Sequence, residues 1–185
     1  MKKLALILAF ILPVASVRAD EDTPVPPEVQ KLVETMVAAI KSADDAALLA
    51  CWHTPEVFAR VKREEAAKEA GTSPTPIDNA KEGERELKRR TKDNTVTTAR
   101  AAQMRDIISK RFGELAMLTL TSVEIDEEET ATPAQPAYDG IEIRLRTADG
   151  TALKIGIDDL IKIDGAWKFK GRLEDDLTIE LPDVD

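Results

Sequence analysis

Cysteine occurs once in this 185-residue chain, at Cys51, and histidine once, at His53. A single cysteine excludes an intramolecular disulfide, so stability has to come from packing, and Cys51 reads as a small buried hydrophobe on a helix. A single imidazole excludes H-E-x-x-H. With no G-x-S-x-G elsewhere, a nucleophile–histidine triad has no support. Cys51 and His53, two apart on a helix, point to different faces, and His53 reads as a junction residue beside Pro55. There is no paired-cysteine spacing, and Asp126-Glu127-Glu128-Glu129 lacks the alternating oxygen ligands and glycine of a calcium loop. No metal and no cofactor is therefore expected.

Long apolar runs are equally scarce. The one that exists, Leu4 to Val14 broken only by Pro13, follows Lys2-Lys3 and precedes Val17-Arg18-Ala19. That is the pattern of a secretory signal peptide over 1–19, too short to span a bilayer, with no cysteine after it to carry a lipid. The expectation is cleavage after Ala19 and an exported product, periplasmic or secreted, with no membrane insertion afterwards. Basic residues are also in deficit. Of 26 Lys and Arg, three lie in the leader, so 23 remain against 35 acidic side chains, a net charge of −12. Such a charge repels nucleic acid and anionic membranes, so no nucleic-acid partner is expected.

What is present divides into a helical and a stranded half. Residues 20–27 carry Pro24, Pro26 and Pro27 among acids and read as a flexible leader. Val29, Leu32, Val33, Met36, Val37 and Ile40 then recur at helical spacing, with Gln30, Lys31, Glu34 and Lys41 on the other face. Ser42 and Asp45 have capping-box spacing for a second helix through Ala46, Leu48, Leu49 and Trp52. Thr54-Pro55-Glu56 starts a third that runs to about Ala70, with Val57, Phe58 and Val61 inward and Gly71 as its stop. The stretch 71–95 is almost wholly charged, reads as an exposed helix or a mobile segment, and cannot bury much. Apolar periodicity returns through Ala101, Met104, Ile107, Ile108 and Phe112.

After Gly113 the period changes to two. A first strand over Leu115 to Ile125 has Leu118 and Leu120 in one phase and Val123 and Ile125 in the other, which predicts a bulge near Thr121-Ser122. The acidic, proline-containing stretch Asp126 to Ala137 is a long connection. Ile141, Ile143 and Leu145 alternate with Glu142, Arg144 and Arg146, and Leu153, Ile155 and Ile157 continue the apolar face. Asp149-Gly150 and Asp164-Gly165 are hairpin turns. Asp158-Asp159 is expected to break the strand before Ile161, Ile163, Trp167 and Phe169 resume it. Residues 173–185 form an acidic tail in which Leu177, Ile179 and Leu181 suggest a short edge strand. No internal repeat appears. The fold class is α+β: N-terminal helices packed on a C-terminal, curved, antiparallel meander of about four strands, one domain over 28–172.

Candidate site residues are few. Trp52, Phe58 and Trp167, with Phe169, are four of the seven Phe, Trp and Tyr residues. They fit a core where helices meet sheet or, with Tyr138, the lining of a ligand pocket. Asp158-Asp159 could be paired carboxylates, though neighbours on a strand face opposite ways. Lys88-Arg89-Arg90-Lys92 could grip an anionic partner or be a solvated helix face.

Ala39 to Glu56, AIKSADDAALLACWHTPE, and Lys162 to Lys170, KIDGAWKFK, resemble the NTF2-like family (SnoaL-like, cystatin-like cone). The resemblance covers about thirty residues. It implies a cone in which a long bent sheet wraps N-terminal helices, often dimerised through the sheet face. The helical, charged region Pro55 to Phe112 departs from the family, which has an early hairpin and one short helix there. Enzymes of that family, such as ketosteroid isomerase and scytalone dehydratase, use pocket Asp, His or Tyr, and only Tyr138 and His53 are of suitable type here. Three functions follow as expectations: a non-catalytic module binding a small ligand or a protein partner, a lyase or isomerase using Asp159 with Tyr138, or a homodimerising assembly component.

Overall fold

The computed structural model describes residues 24–69, 76–127, 136–171, 173 and 178–180. Residues 1–23, the expected end of the third helix at Ala70 and Gly71, residues 128–135 of the expected connection, and Leu177 and Leu181 of the tail lie outside them. Helix α1 spans Pro27–Ser42, and Pro27 stands where a missing N–H costs nothing. Its apolar stripe, Val29, Leu32, Val33, Met36, Val37, Ala39 and Ile40, is buried as the spacing predicts. Ala43 then turns left-handed at φ 56°, and Asp44 N donates to Ala39 O at 3.0 Å to close the helix end.

The capping expectation is corrected at this bend. Asp44, not Ser42, caps α2 (Asp45–Leu49) by accepting from Ala47 N at 2.9 Å. Ser42 Oγ instead donates back to Ala38 O at 3.0 Å, the local bond that serine makes when it stays inside a helix. Helix α2 also stops before Trp52. The backbone of Cys51–His53 runs alongside the last full strand: Phe169 N donates to Cys51 O (3.0 Å) and His53 N to Phe169 O (3.3 Å).

Helices α3 (Pro55–Glu69) and α4 (Pro76–Phe112) pack against each other as a hairpin. The charged stretch expected to bury little is helical from residue 76 onward, and Glu86, Arg90, Asp93 and Thr97 are buried. Gly83, Glu86, Arg90, Asp93, Thr97, Ala101, Met104 and Ile108 form one buried stripe at three- and four-residue steps, polar in its first half and apolar in its second.

A 3₁₀ turn, Leu115–Met117, occupies what was expected to be the start of the first strand. The strands are β1 (Thr119–Glu127), β2 (Ala137–Arg146), β3 (Ala152–Ile163), β4 (Ala166–Phe169) and β5 (Thr178–Glu180). They form one antiparallel sheet in the order β1-β2-β3-β4, with β5 also on β3. The expected bulge is there, a register shift between Leu120 and Ser122. Both hairpin turns use positive φ, at Gly150 (90°) and at Asp164-Gly165 (53° and 80°).

Asp158-Asp159 does not break β3. Asp159 takes φ 53°, and its carbonyl accepts from Lys170 N (2.8 Å) and Gly171 N (3.3 Å). The kink flips the alternation, so Leu160, not Ile161, continues the buried face after Ile157. A Cβ on Gly171 would stand 1.9 Å from Asp158 O, so this crossing requires glycine. Beyond it, the bridge Ile157–Leu173 and then β5 occupy the same edge of β3 as β4. The tail segment thus begins as part of the sheet, and Leu173 is buried.

Candidate functional site

The four residues proposed as a pocket lining fall into two groups. Trp52 and Trp167 are buried in the main core, and Tyr138 packs against it. Trp52 Nε1 donates to Gly171 O at 2.7 Å and its ring lies 4.9 Å from that of Phe169; Tyr138 stacks on Trp167 at 5.1 Å. Phe58 sits apart, in the α3–α4 seam, edge-on to His53 at 5.6 Å and under the Arg90 guanidinium at 4.0 Å. Among the described residues each ring is thus packed against protein, and Phe58 stands apart from the other three.

Asp159 and Tyr138, the acid–base pair of the enzyme reading, likewise have separate surroundings. The Asp159 carboxylate meets Lys170 Nζ at 3.4 Å, while Tyr138 lies on the Trp167 ring. His53 Nε2 is 3.3 Å from Ile161 O; burial pushes its pKa down, opposed by that backbone contact. Burial raises the Cys51 thiol, whose Sγ donates to Ala47 O at 3.6 Å. A thiol raised by burial is the opposite of what a thiolate nucleophile needs. Among the described residues no group of three or more His, Cys, Asp or Glu is placed to hold a metal, and no helix is long and apolar enough to cross a membrane.

The basic cluster also divides. Arg90 is buried and Arg89 exposed; both donate to Glu86, from Arg90 Nε at 2.8 Å and Arg89 Nη2 at 2.6 Å. Burial would raise the Glu86 carboxyl, but the hydrogen bonds and charges of the two arginines outweigh it and hold the pKa at about 2. Arg90 further donates to Lys170 O, and Arg100 to Leu173 O. Arg90 and Arg100 thus satisfy carbonyls of the chain that leaves β4 past the β3 kink. Lys88, Arg89 and Lys92 remain exposed.

The outer sheet face carries a charge ladder: Arg144 to Glu142 (2.9 Å) and Glu124 (3.7 Å), and Lys154 to Glu142 (2.8 Å). Burial would raise Glu142, and its two cationic neighbours more than reverse that.

An open groove of about 570 Å³ lies elsewhere, between the flank of α1 and the start of β1. Val37, Ala38, Ala116, Leu118 and Leu120 give it apolar walls, and Glu34, Lys41, Ser42 and Thr119 complete the lining. Lys41 Nζ donates to Leu118 O at 2.8 Å and ties the last turn of α1 to the chain entering β1. Sequence reasoning missed this site. Lys41 and Glu34 look like an ordinary wet helix face, and only their juxtaposition with the 3₁₀ turn makes a recess.

No family model and no curated protein matches the chain. Among solved structures it is similar to the crystal structure of a cystatin-like protein from Ruminococcus gnavus ATCC 29149, with a TM-score of 0.45 and 15% identity. The likeness covers 83% of this chain and 44% of that one, so the chain spans less than half the length of the protein it resembles.

Proposed function

We propose that the protein is an exported, non-catalytic binding module whose ligand site is the α1–β1 groove. The observation that carries this reading is the contrast in use of apolar surface. The aromatic residues suited to a cone pocket are packed into protein, whereas exposed Ala38 and Ala116 and half-buried Leu120, beside the buried Val37 and Leu118, border an open recess. Export rests on the Lys2-Lys3, Leu4 to Val14, Val17-Arg18-Ala19 pattern.

The test is a titration of ¹⁵N-labelled protein with 1-hexanol as a minimal apolar probe. Amide signals of Val37, Ala38, Lys41, Ala116, Leu118 and Leu120 are expected to shift together, and Ala38→Arg is expected to abolish the effect. Shifts confined to Trp52, Tyr138 and Trp167 would move the site into the cone. A turnover lost in Asp159→Asn would replace the reading with the lyase or isomerase one.

A further inference from the structure

Strand β1 is the first in the sheet order, and among the described residues no strand pairs with its outer edge. The groove adjoins that edge strand, since Thr119 and Leu120 of β1 line it together with Glu34, Val37, Ala38, Lys41 and Ser42 of α1. A strand laid beside β1 would place its inward side chains against Val37, Ala38 and Leu120. Its outward side chains would stand next to Glu124 and Asp126, which are exposed farther along β1. From Leu120 to Glu124 is four residues, about 13 Å of extended chain.

An unpaired edge invites a second copy of the same chain, and acidic residues are one of the ways in which proteins prevent that. Here they do more. Asp126, with Glu124 shared with Arg144 at 3.7 Å, repels the acidic edge of another copy and at the same time favours a cationic strand. Resting on the groove as the binding site, we infer that its occupant is an extended peptide segment, apolar on one face and carrying Lys or Arg at one end. It adds to β1 by backbone hydrogen bonding, its apolar side chains enter the groove and its cations sit against Glu124 and Asp126.

The probe is a capped peptide the length of β1, 9 residues, with the sequence Lys-Val-Lys-Val-Thr-Val-Thr-Val-Thr. In antiparallel pairing with its first residue opposite Asp126, its lysines share the sheet face of Asp126 and Glu124. Two further versions are N-methylated on alternate residues in the two possible frames, only one of which removes the N–H groups facing β1. Binding to the full chain is read from amide shifts and from the titration midpoint.

The expected result is shifts over residues 119–126 and the groove, with one N-methylated frame at least about tenfold weaker and the other unchanged, the loss of one or two hydrogen bonds. Glu124→Lys with Asp126→Lys is expected to weaken this peptide and to strengthen its Glu-for-Lys counterpart. Equal binding of both N-methylated frames would overturn strand addition while leaving the groove as a site, as would hexanol shifts with no peptide shifts. Failure of hexanol and peptide alike would remove the groove reading itself.

Discussion

Beneath the sheet, Met36, Ile40, Ile143, Leu145, Leu153 and Phe169 are all fully buried and carry no charge. At comparable depth in the α3–α4 seam stand Glu86, Arg90, Asp93 and Thr97. Both regions fasten helices to strands, but the first does so through apolar area alone, while the second needs geometry. Arg90 reaches Glu86, the Phe58 face and Lys170 O from one position. The apolar region is therefore expected to tolerate changes of pH and salt, and the seam to respond to them. The seam also fixes the β3 kink, since Lys170 and Gly171 bond Asp159 there.

The sharpest way to break the comparison is to empty the first region. Phe169→Ala removes a fully buried ring that touches Trp52 and is expected to cost about 3–5 kcal/mol in denaturant unfolding. The loss should be the same at pH 4 and pH 7. A strong pH dependence of that loss would mean that the core and the seam are not separable.

In the seam, Arg90→Met keeps volume but leaves Glu86 with Arg89 alone and Lys170 O without its donor. About 2–4 kcal/mol of destabilisation is expected, below the full cost of breaking a buried pair because Arg89 stays. Adding Glu86→Gln should recover part of it, since the stranded charge goes with it. If the double variant is as unstable as the single, packing and not charge governs the seam.

Acid offers a gentler probe. Glu86 has a folded pKa of about 2 against an ordinary 4.5, so its contribution is complete above pH 4.5 and is lost as pH falls toward 2. His53, depressed by burial from 6.5, takes up a proton more readily when unfolded, so its contribution is present above pH 6.5 and declines below it. Thermal unfolding between pH 7 and pH 3 should show both windows. Glu86→Gln is expected to flatten the lower one and His53→Gln the upper.

Those two regions differ just as much in how they are written in the sequence. Apolar periodicity gave α1, the alternation of β2 and β3 up to Ile157, and the bulge at Thr121, because burial there is apolar and repeats with the period of the element. The buried stripe of α4 has the right spacing, but Gly83, Glu86, Arg90 and Asp93 carry no apolar signal, so the segment reads as solvated. The flip at Asp159 depends on one left-handed residue and on Gly171, twelve positions later across the β3–β4 hairpin, a pairing that no local pattern encodes. The groove has the same difficulty. Lys41 is legible as a polar helix position, whereas its bond to Leu118 joins residues 77 apart in sequence.

The smallest expected effect sharpens the comparison by adding the groove to it. Lys41 is half-buried and donates across the recess to Leu118 O, so Lys41→Met keeps the aliphatic stem and deletes only the ammonium. One charged hydrogen bond near the surface contributes about 1 kcal/mol or slightly more, and water can reach the freed carbonyl. The variant should therefore fold with a small loss in midpoint denaturant concentration and an unchanged slope. Hydrogen exchange of the amides from Leu115 to Leu120 should quicken, because the tie between α1 and the start of β1 is gone. Unchanged protection there would mean that the packing of Val37 and Leu118, and not the lysine, keeps the groove in shape.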